Sequence, residues 1–271
     1  LHLLSFIVMT PPLVTLTTDF GTRDSYVAQM KGAMLRLQPS LKLVDLSHEI
    51  PPQNIEHAAR FMAEAAPRFP DGTLHVVVVD PGVGTDRDIL FAELDHQKFV
   101  CPDNGLLTLC HKLATRSIIR KLTSPGVFGD SSSTFHGRDI MGPAAVRWAE
   151  KNSIDDISIP VATMHSLSLP VAEVGHQSCQ GQIIGKDAFG NLMTNLTVEQ
   201  LPTNRPESFQ IEMEGQALTP TWVTTYAEAE PGSIVALVGS SGRVEIAMVN
   251  GSAAKRLELQ SGTGITMSWQ V

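Results

Sequence analysis

Three separated segments carry the side chains best placed to do chemistry: TLTTDFGTRDSYVAQMKG at 15–32, VVVVDPGVGTDRD at 76–88 and STFHGRDI at 133–140. In each, acidic, basic or imidazole groups stand where an apolar run gives way to glycine and turn residues. Loops leaving the carboxyl ends of strands in an α/β protein converge on one crevice, so residues distant in sequence can share one site. Asp19 follows the first apolar run and precedes Phe20-Gly21; a carboxylate there can accept two hydrogen bonds from a ribose diol or close an Asx-type turn. Asp24 and Ser25 precede a helical pattern and fit helix N-caps as well as ligands. Asp80-Pro81-Gly82-Val83-Gly84-Thr85 ends the strongest apolar run, and its glycines serve a tight turn or a close backbone approach to a ligand. Arg87 is near enough to pair with Asp80 and depress its pKa. Taken alone, His136 reads as a satisfied buried histidine; beside Asp80 and Arg87 it becomes a candidate for handling a proton.

The second half of the chain offers binding groups. KDAFGNLMTN (186–195) sets Asp187, Asn191 and Asn195 around Phe189-Gly190. An Asn can read an adenine edge with one donor and one acceptor, and Phe189 can stack on a base; a Gly-Asn turn is the plain alternative. SSGRVEIA (240–247) offers Ser240 and Ser241 at a Gly242 turn. The sequence has no P-loop, no Gly-x-Gly-x-x-Gly after the first strand, no HExxH and no nucleophile elbow. His136-Gly137-Arg138-Asp139 matches a kinase catalytic loop only superficially, because the partner motifs are missing. Cys101, Cys110 and Cys179 are odd in number and lack CxxC spacing, so neither a disulfide framework nor a structural zinc site is indicated.

The elements that must position these groups are readable from apolar periodicity. Strands are expected at Leu13–Leu16, Lys42–Leu46 and Thr73–Val79, and a hairpin at Ile89–Val100. Helices are expected at Tyr26–Leu37, Ile55–Ala66, Gly105–Leu113 and Gly142–Lys151. This βα alternation predicts an α/β N-terminal domain (13–162) with a mostly parallel sheet flanked by helices. After Ile159 the character changes. A linker at 163–175 leads to a smaller, all-β C-terminal domain (176–271), with strands at Gln180–Lys186, Ser208–Met213, Gln216–Leu218, Ser233–Val238, Val244–Met248 and Gly264–Trp269.

Composition bounds the partners. The 271 residues are 42% hydrophobic and 18% charged with a formal net charge of −8, which describes a globular chain. Without a Lys/Arg-rich run, binding to nucleic acid or to an anionic membrane surface is not expected; a cationic small molecule suits the charge. Residues 1–12 read as an N-terminal tail, within which Leu1–Val8 is apolar but too short to span a bilayer and lacks a basic flank and cleavage site. The cytoplasm is the expected compartment.

TTDFGTRDSYVAQMKG, VDLSHEIPPQNI, VVVVDPGVGTDR, PDNGLL, TFHGRDI, DAFGNLMTN and SSGRVEIA, in that order, resemble the S-adenosyl-L-methionine hydroxide adenosyltransferases, relatives of the fluorinases and chlorinases. The resemblance runs from Leu13 to the C-terminus. It implies an N-terminal α/β domain, a C-terminal β domain, and a homotrimer with active sites between the N-terminal domain of one subunit and the C-terminal domain of its neighbour. The implied reaction is an SN2 displacement in which water or hydroxide attacks the 5′ carbon of S-adenosyl-L-methionine, giving adenosine and L-methionine. A sulfonium is already a good leaving group, so neither metal nor cofactor is expected.

By this resemblance Asp80, Arg87 and His136 form the catalytic triad, with Asp80 and His136 at the nucleophile and Arg87 holding the charge arrangement; which member takes the proton stays open. Asp19 corresponds to the group holding the ribose hydroxyls and Asp24 to one near the methionine end. Asp187 is matched to the methionine ammonium, Asn191 to the adenine, Ser240 to the methionine carboxylate, and Phe189 to the substrate-binding set. Ser241 stands where the halogenating relatives have arginine, and Val249 where many relatives have asparagine, with Asn250 next to it. Those relatives also lose the triad Asp, which this chain keeps, so hydroxide is implied rather than halide. Two other readings remain: a sensor or store that binds S-adenosyl-L-methionine or adenosine without turnover, and a phosphoesterase holding Mn or Mg on Asp19, Asp80, His136 and Asp139.

Overall fold

The computed structural model describes residues 11–202 and 209–269. The expected tail Leu1–Val8 and the first residue of the expected strand Ser208–Met213 lie outside them. The chain divides into two compact units, one through Leu167 and one from Ser168.

The first unit contains β1 (Leu13–Thr18), α1 (Tyr26–Leu37), β2 (Lys42–Ser47), α2 (Ile55–Ala65), β3 (Leu74–Val78), β4 (Ile89–Leu94), β5 (Gln97–Pro102), α3 (Thr108–Leu113), β6 (Ser117–Leu122), α4 (Gly142–Lys151) and β7 (Ser158–Pro160). Its seven-stranded sheet runs β2-β1-β3-β5-β4-β6-β7. Every residue of β3 is buried, which explains the unbroken apolar run in its sequence. Successive side chains alternate between faces. Leu74, Val76 and Val78 join the core that includes Met30 and Met34 of α1 and Trp148 of α4. Val77 and Val79 join the core that includes Ala58 and Met62 of α2 and Cys110 of α3. Asn54 caps α2, its side-chain oxygen accepting from the His57 backbone at 2.8 Å.

The sheet is mixed, which corrects the expectation of a mostly parallel one. β2, β1, β3 and β5 are parallel neighbours, whereas β5–β4, β4–β6 and β6–β7 are antiparallel. Helical crossovers connect β1 to β2 and β2 to β3, and a parallel pair needs such a connection. The two residues between β4 and β5, with Asp95 at φ 52°, can join only antiparallel strands.

The second unit contains β8 (Glu173–Val174), β9 (Ser178–Lys186), β10 (Leu192–Thr197), β11 (Phe209–Met213), β12 (Gln216–Leu218), β13 (Thr221–Trp222), β14 (Ile234–Val238), β15 (Arg243–Met248), α5 (Ala253–Leu257) and β16 (Gly264–Trp269). Eight strands run in the order β12-β11-β16-β9-β10-β15-β14-β13, and β8, from the segment read as a linker, pairs with β9. The core includes Ile183, Leu196, Ile211, Ile246 and Met267. The unit is not purely β. Ser252 accepts from the Lys255 backbone at 3.3 Å and starts the short helix α5, a helix too short for periodicity to reveal.

Candidate active site

Parallel pairing explains how the N-terminal residues meet. Thr18 of β1 lies opposite Val78 of β3, so Asp19 and Asp80 leave the same edge of the sheet. Asn104, in the loop after the neighbouring β5, donates from Nδ2 to the Val79 carbonyl at 2.8 Å and fastens that edge. Between Asp80 and Arg87 the backbone makes two successive turns, Val83 N to Asp80 O and Thr85 N to Gly82 O, both 3.2 Å. Gly84 has φ +81°, and a Cβ there would lie 2.5 Å from the Ser133 carbonyl oxygen. The glycine therefore lets this loop pack against the segment leading to His136. Phe20, Tyr26 and Phe135 complete the junction, with edge-to-face ring contacts at 5.5–6.2 Å. A π-helical turn, Gly137–Met141, follows His136 directly.

Asp80, Arg87 and His136 are in direct contact. Arg87 Nε donates to Asp80 Oδ1 at 3.0 Å and to Oδ2 at 2.9 Å, and Arg87 Nη2 donates to Asp80 Oδ2. The two side chains are only 4% (Asp80) and 10% (Arg87) exposed. Arg87 Nη2 also stands 3.0 Å from His136 Nδ1. A guanidinium can only donate, so Nδ1 is the acceptor and the neutral imidazole carries its proton on Nε2. Burial and then the Arg87 charge hold the His136 pKa below the ordinary histidine value, against the opposing pull of Asp80 and Asp139. The result is an Nε2–H donor beside a buried carboxylate.

The other sequence candidates divide. Asp19 Oδ2 accepts from the Gln53 backbone at 2.8 Å, with Gln53 at φ 61°. Asp24 is exposed ahead of α1. Ser25 occupies the N-cap position without capping a backbone amide; its hydroxyl accepts from Gln29 Nε2 instead. Asp139 pairs with Arg138 and accepts from the Ser132 backbone at 2.9 Å. Among the described residues no group of three or more His, Cys, Asp or Glu side chains is placed to hold a metal ion. The donor set itself fits a metal poorly, because guanidinium groups already occupy Asp80 and Asp139. Burial raises the pKa of the Cys110 thiol to about 12 and of Cys179 to about 11, and pushes Cys101 up as well, so no thiolate nucleophile is available near neutral pH.

In the second unit, Asp187, Phe189, Asn191 and Ser240 line one concavity of about 830 Å³, together with Tyr226, Glu245 and Asn250. Asp187 Oδ1 accepts from the backbones of Phe189 and Asn191, both at 2.9 Å, and Oδ2 accepts from Asn191 Nδ2 at 2.8 Å. This is an Asx-type turn centred on Asp187, and it leaves Phe189 79% exposed. Gly190 is required: at φ +87°, a Cβ would fall 2.0 Å from Ser252 Oγ. Asn195 serves the fold, bridging the Gln182 backbone and the Pro170 carbonyl. Val249 belongs to a small core with Val223 and Val235, while Asn250 lines the concavity. Tyr226 was not read from the sequence. Its hydroxyl takes a hydrogen bond from Asn191 Nδ2 at 3.3 Å; burial, then the charges of Glu245 and Asp187, raise its pKa. Its only advance signal was an aromatic residue in the turn-rich stretch before β14.

An α/β unit carrying an Asp-Arg-His cluster built on a buried Asp80–Arg87 pair, followed by a β unit with a ligand-sized concavity, defines the class as a two-domain small-molecule enzyme. The SAM hydroxide adenosyltransferase N-terminal domain profile matches residues 14–158 and the C-terminal domain profile residues 181–266. The chain belongs to the SAM hydroxide adenosyltransferase family. It is 34% identical over 261 residues to the (R)-S-adenosyl-L-methionine hydrolase of Thermus thermophilus, covering 92% of this chain and 97% of that protein. A fluorinase from Nocardia brasiliensis is 24% identical over 291 residues, covering 94% and 96%. The crystal structure of an uncharacterized conserved protein from Thermotoga maritima superposes with a TM-score of 0.89 at 27% identity, covering 94% of this chain and 99% of that one.

Proposed function

We propose that this protein is an S-adenosyl-L-methionine hydrolase, in which water or hydroxide attacks the 5′ carbon to give adenosine and L-methionine. The observation that carries this reading is the buried Asp80–Arg87–His136 contact, supported by family membership and by the hydrolase name of a relative sharing a third of its residues. The C–O bond forms as the C5′–S bond breaks. Its electron pair returns to sulfur, the sulfonium becomes the thioether of methionine, and the proton that an attacking water loses passes to bulk solvent. Asp80 Oδ1 accepts a hydrogen bond from the nucleophile, and His136 Nε2–H donates one to it, so the oxygen is oriented from both sides. With Nδ1 committed to Arg87 and Nε2 protonated, His136 acts as a donor rather than the proton acceptor. Arg87 fixes both partners.

Asp19 binds the ribose hydroxyls and Asp24 approaches the methionine end. Asp187 meets the methionine ammonium, Asn191 the adenine, Ser240 the methionine carboxylate, and Phe189 stacks on the ligand. Carboxylates around a substrate carrying sulfonium and ammonium charges are electrostatically matched. The reaction needs no metal or cofactor, and hydroxide is preferred to halide because Asp80 is retained. The same reading includes a cytoplasmic homotrimer with active sites shared between subunits.

The test is incubation of metal-free protein with S-adenosyl-L-methionine in 18O-labelled water, with mass spectrometry of the products. Labelled adenosine with unlabelled methionine is expected. Binding without adenosine formation would refute hydrolysis in favour of a sensor, and 5′-halo-5′-deoxyadenosine as main product would refute the choice of nucleophile.

A further inference from the structure

Behind Asp19 runs a chain of polar contacts that the proposed chemistry does not use. β1 and β2 slip in register between Leu16, opposite Asp45, and Thr17, opposite Ser47. This irregularity leads the chain into Ser47-His48-Glu49. His48 is buried, with Nδ1 2.9 Å from Thr18 Oγ1 and Nε2 3.0 Å from Asp45 Oδ1. Lys31 Nζ reaches the other Asp45 oxygen at 2.5 Å. Hydrogen bonds from Lys31 and His48 hold the Asp45 carboxyl below its usual pKa despite the opposing effect of burial, the largest single influence.

Thr18 Oγ1 accepts from the Phe20 backbone at 3.2 Å and can give its own proton to His48 Nδ1; in that tautomer the ring proton sits on Nε2, the nitrogen within ion-pair distance of Asp45. The same segment grips the Asp19 loop through its backbone. Gly21 N donates to the His48 carbonyl at 2.7 Å and Ile50 N to the Thr18 carbonyl at 3.4 Å, while Gln53 N holds Asp19 Oδ2 at 2.8 Å. The peptide units on both sides of Asp19 are thus anchored to one short stretch of chain.

We propose that Asp45, His48 and Thr18 form a positioning relay that fixes the Asp19 carboxylate for the ribose diol, so that ribose recognition depends on residues that never touch the ligand. The proposal rests on the reading of Asp19 as the ribose-binding group. None of the three is a catalytic residue.

The test compares binding of adenosine and 2′-deoxyadenosine by calorimetry, alongside kcat and KM for S-adenosyl-L-methionine. Wild type should prefer adenosine by roughly 10- to 100-fold, the range expected for a hydrogen bond to a carboxylate, and Asp19→Asn should abolish the preference. Thr18→Val, isosteric but without the hydroxyl, should shrink the preference at least about fivefold and raise KM with little change in kcat. Thr18→Ser should restore both, and His48→Gln gives a second variant should Thr18→Val fail to fold. An intact nucleoside preference in folded Thr18→Val or His48→Gln, with Asp19→Asn having lost it, would overturn the relay and leave the ribose reading standing. A wild type that binds both nucleosides equally would overturn the ribose reading and the relay with it.

Discussion

The Asp80–Arg87 pair makes the strongest quantitative demand on stability. Both side chains are almost wholly buried, and two Arg87 nitrogens contact the carboxylate. Removing one partner leaves the other charge buried without its counter-charge, which costs about 3–5 kcal/mol. For a unit of this size each kcal/mol corresponds to roughly 2–4 °C in Tm, so Asp80→Ala or Arg87→Met should each lower the melting temperature by about 6–20 °C. The double variant removes both charges and should melt above either single variant, because a buried pair contributes little beyond the charges it cancels. Thermal melts of the four proteins followed by circular dichroism give the coupling energy directly. Additive losses, or a Tm shift under about 2 °C in both single variants, would show that the two groups are hydrated and that the dry, oriented carboxylate assigned to the active site does not exist.

Four further outcomes are expected. His136→Asn should lower kcat about 10²- to 10⁴-fold with little change in KM. In wild type the acid limb of kcat/KM should lie below the ordinary histidine value of 6.5 because His136 is depressed; a limb above it would contradict the neutral Nε2–H donor. His75 is buried against Thr15 and Gln97, and burial lowers its pKa to about 4. The unfolded chain therefore takes up this proton first, and stability that is full above pH 6.5 falls by roughly 3 kcal/mol as pH drops towards 4; His75→Gln should flatten that part of a urea-denaturation series. Gly84→Ala should cost more stability than Gly129→Ala, since both glycines have positive φ but only the first would drive a Cβ into a carbonyl oxygen, that of Ser133. Equal urea midpoints would remove the packing role given to Gly84.

The sequence made the N-terminal site legible because strand ends concentrate function at single positions. Asp19 and Asp80 each follow a buried run, and parallel neighbours bring such ends together. Helices α1 and α4 were readable to the residue from periodicity, Tyr26–Leu37 and Gly142–Lys151. The hairpin of β4 and β5 was readable too, but the outer antiparallel strands were not, because β6 and β7 lie largely at the surface and lack a continuous apolar run. In the second unit Leu192–Thr197 combines a strand with the concavity-lining Asn191 before it, so a motif reading hid an element. Val249 and Asn250 show a different limit. Which of two adjacent residues faces a concavity depends on where β15 ends, and Asn250 with φ 55° turns there. His48 was invisible for another reason: a histidine in a loop gains meaning only from partners in β1 and β2 that no spacing rule connects.

The triad geometry also narrows how a carboxylate and an imidazole can serve a reaction that needs one proton removed. Asp80 receives a guanidinium edge, which occupies both of its oxygens. His136 spends Nδ1 on that same guanidinium, leaving a nitrogen that already carries a proton. The imidazole is therefore not prepared to take a proton, while together the two side chains offer one acceptor and one donor in fixed positions. Such a pair is suited to binding a water or hydroxide oxygen with a lone pair directed at carbon. A halide has no proton to give Asp80 and would meet only its negative charge, so on the proposed reading the carboxylate that orients hydroxide would also repel the competing nucleophile. On the proposed reading, selectivity and orientation then follow from a single interaction, the buried pairing of Asp80 with Arg87.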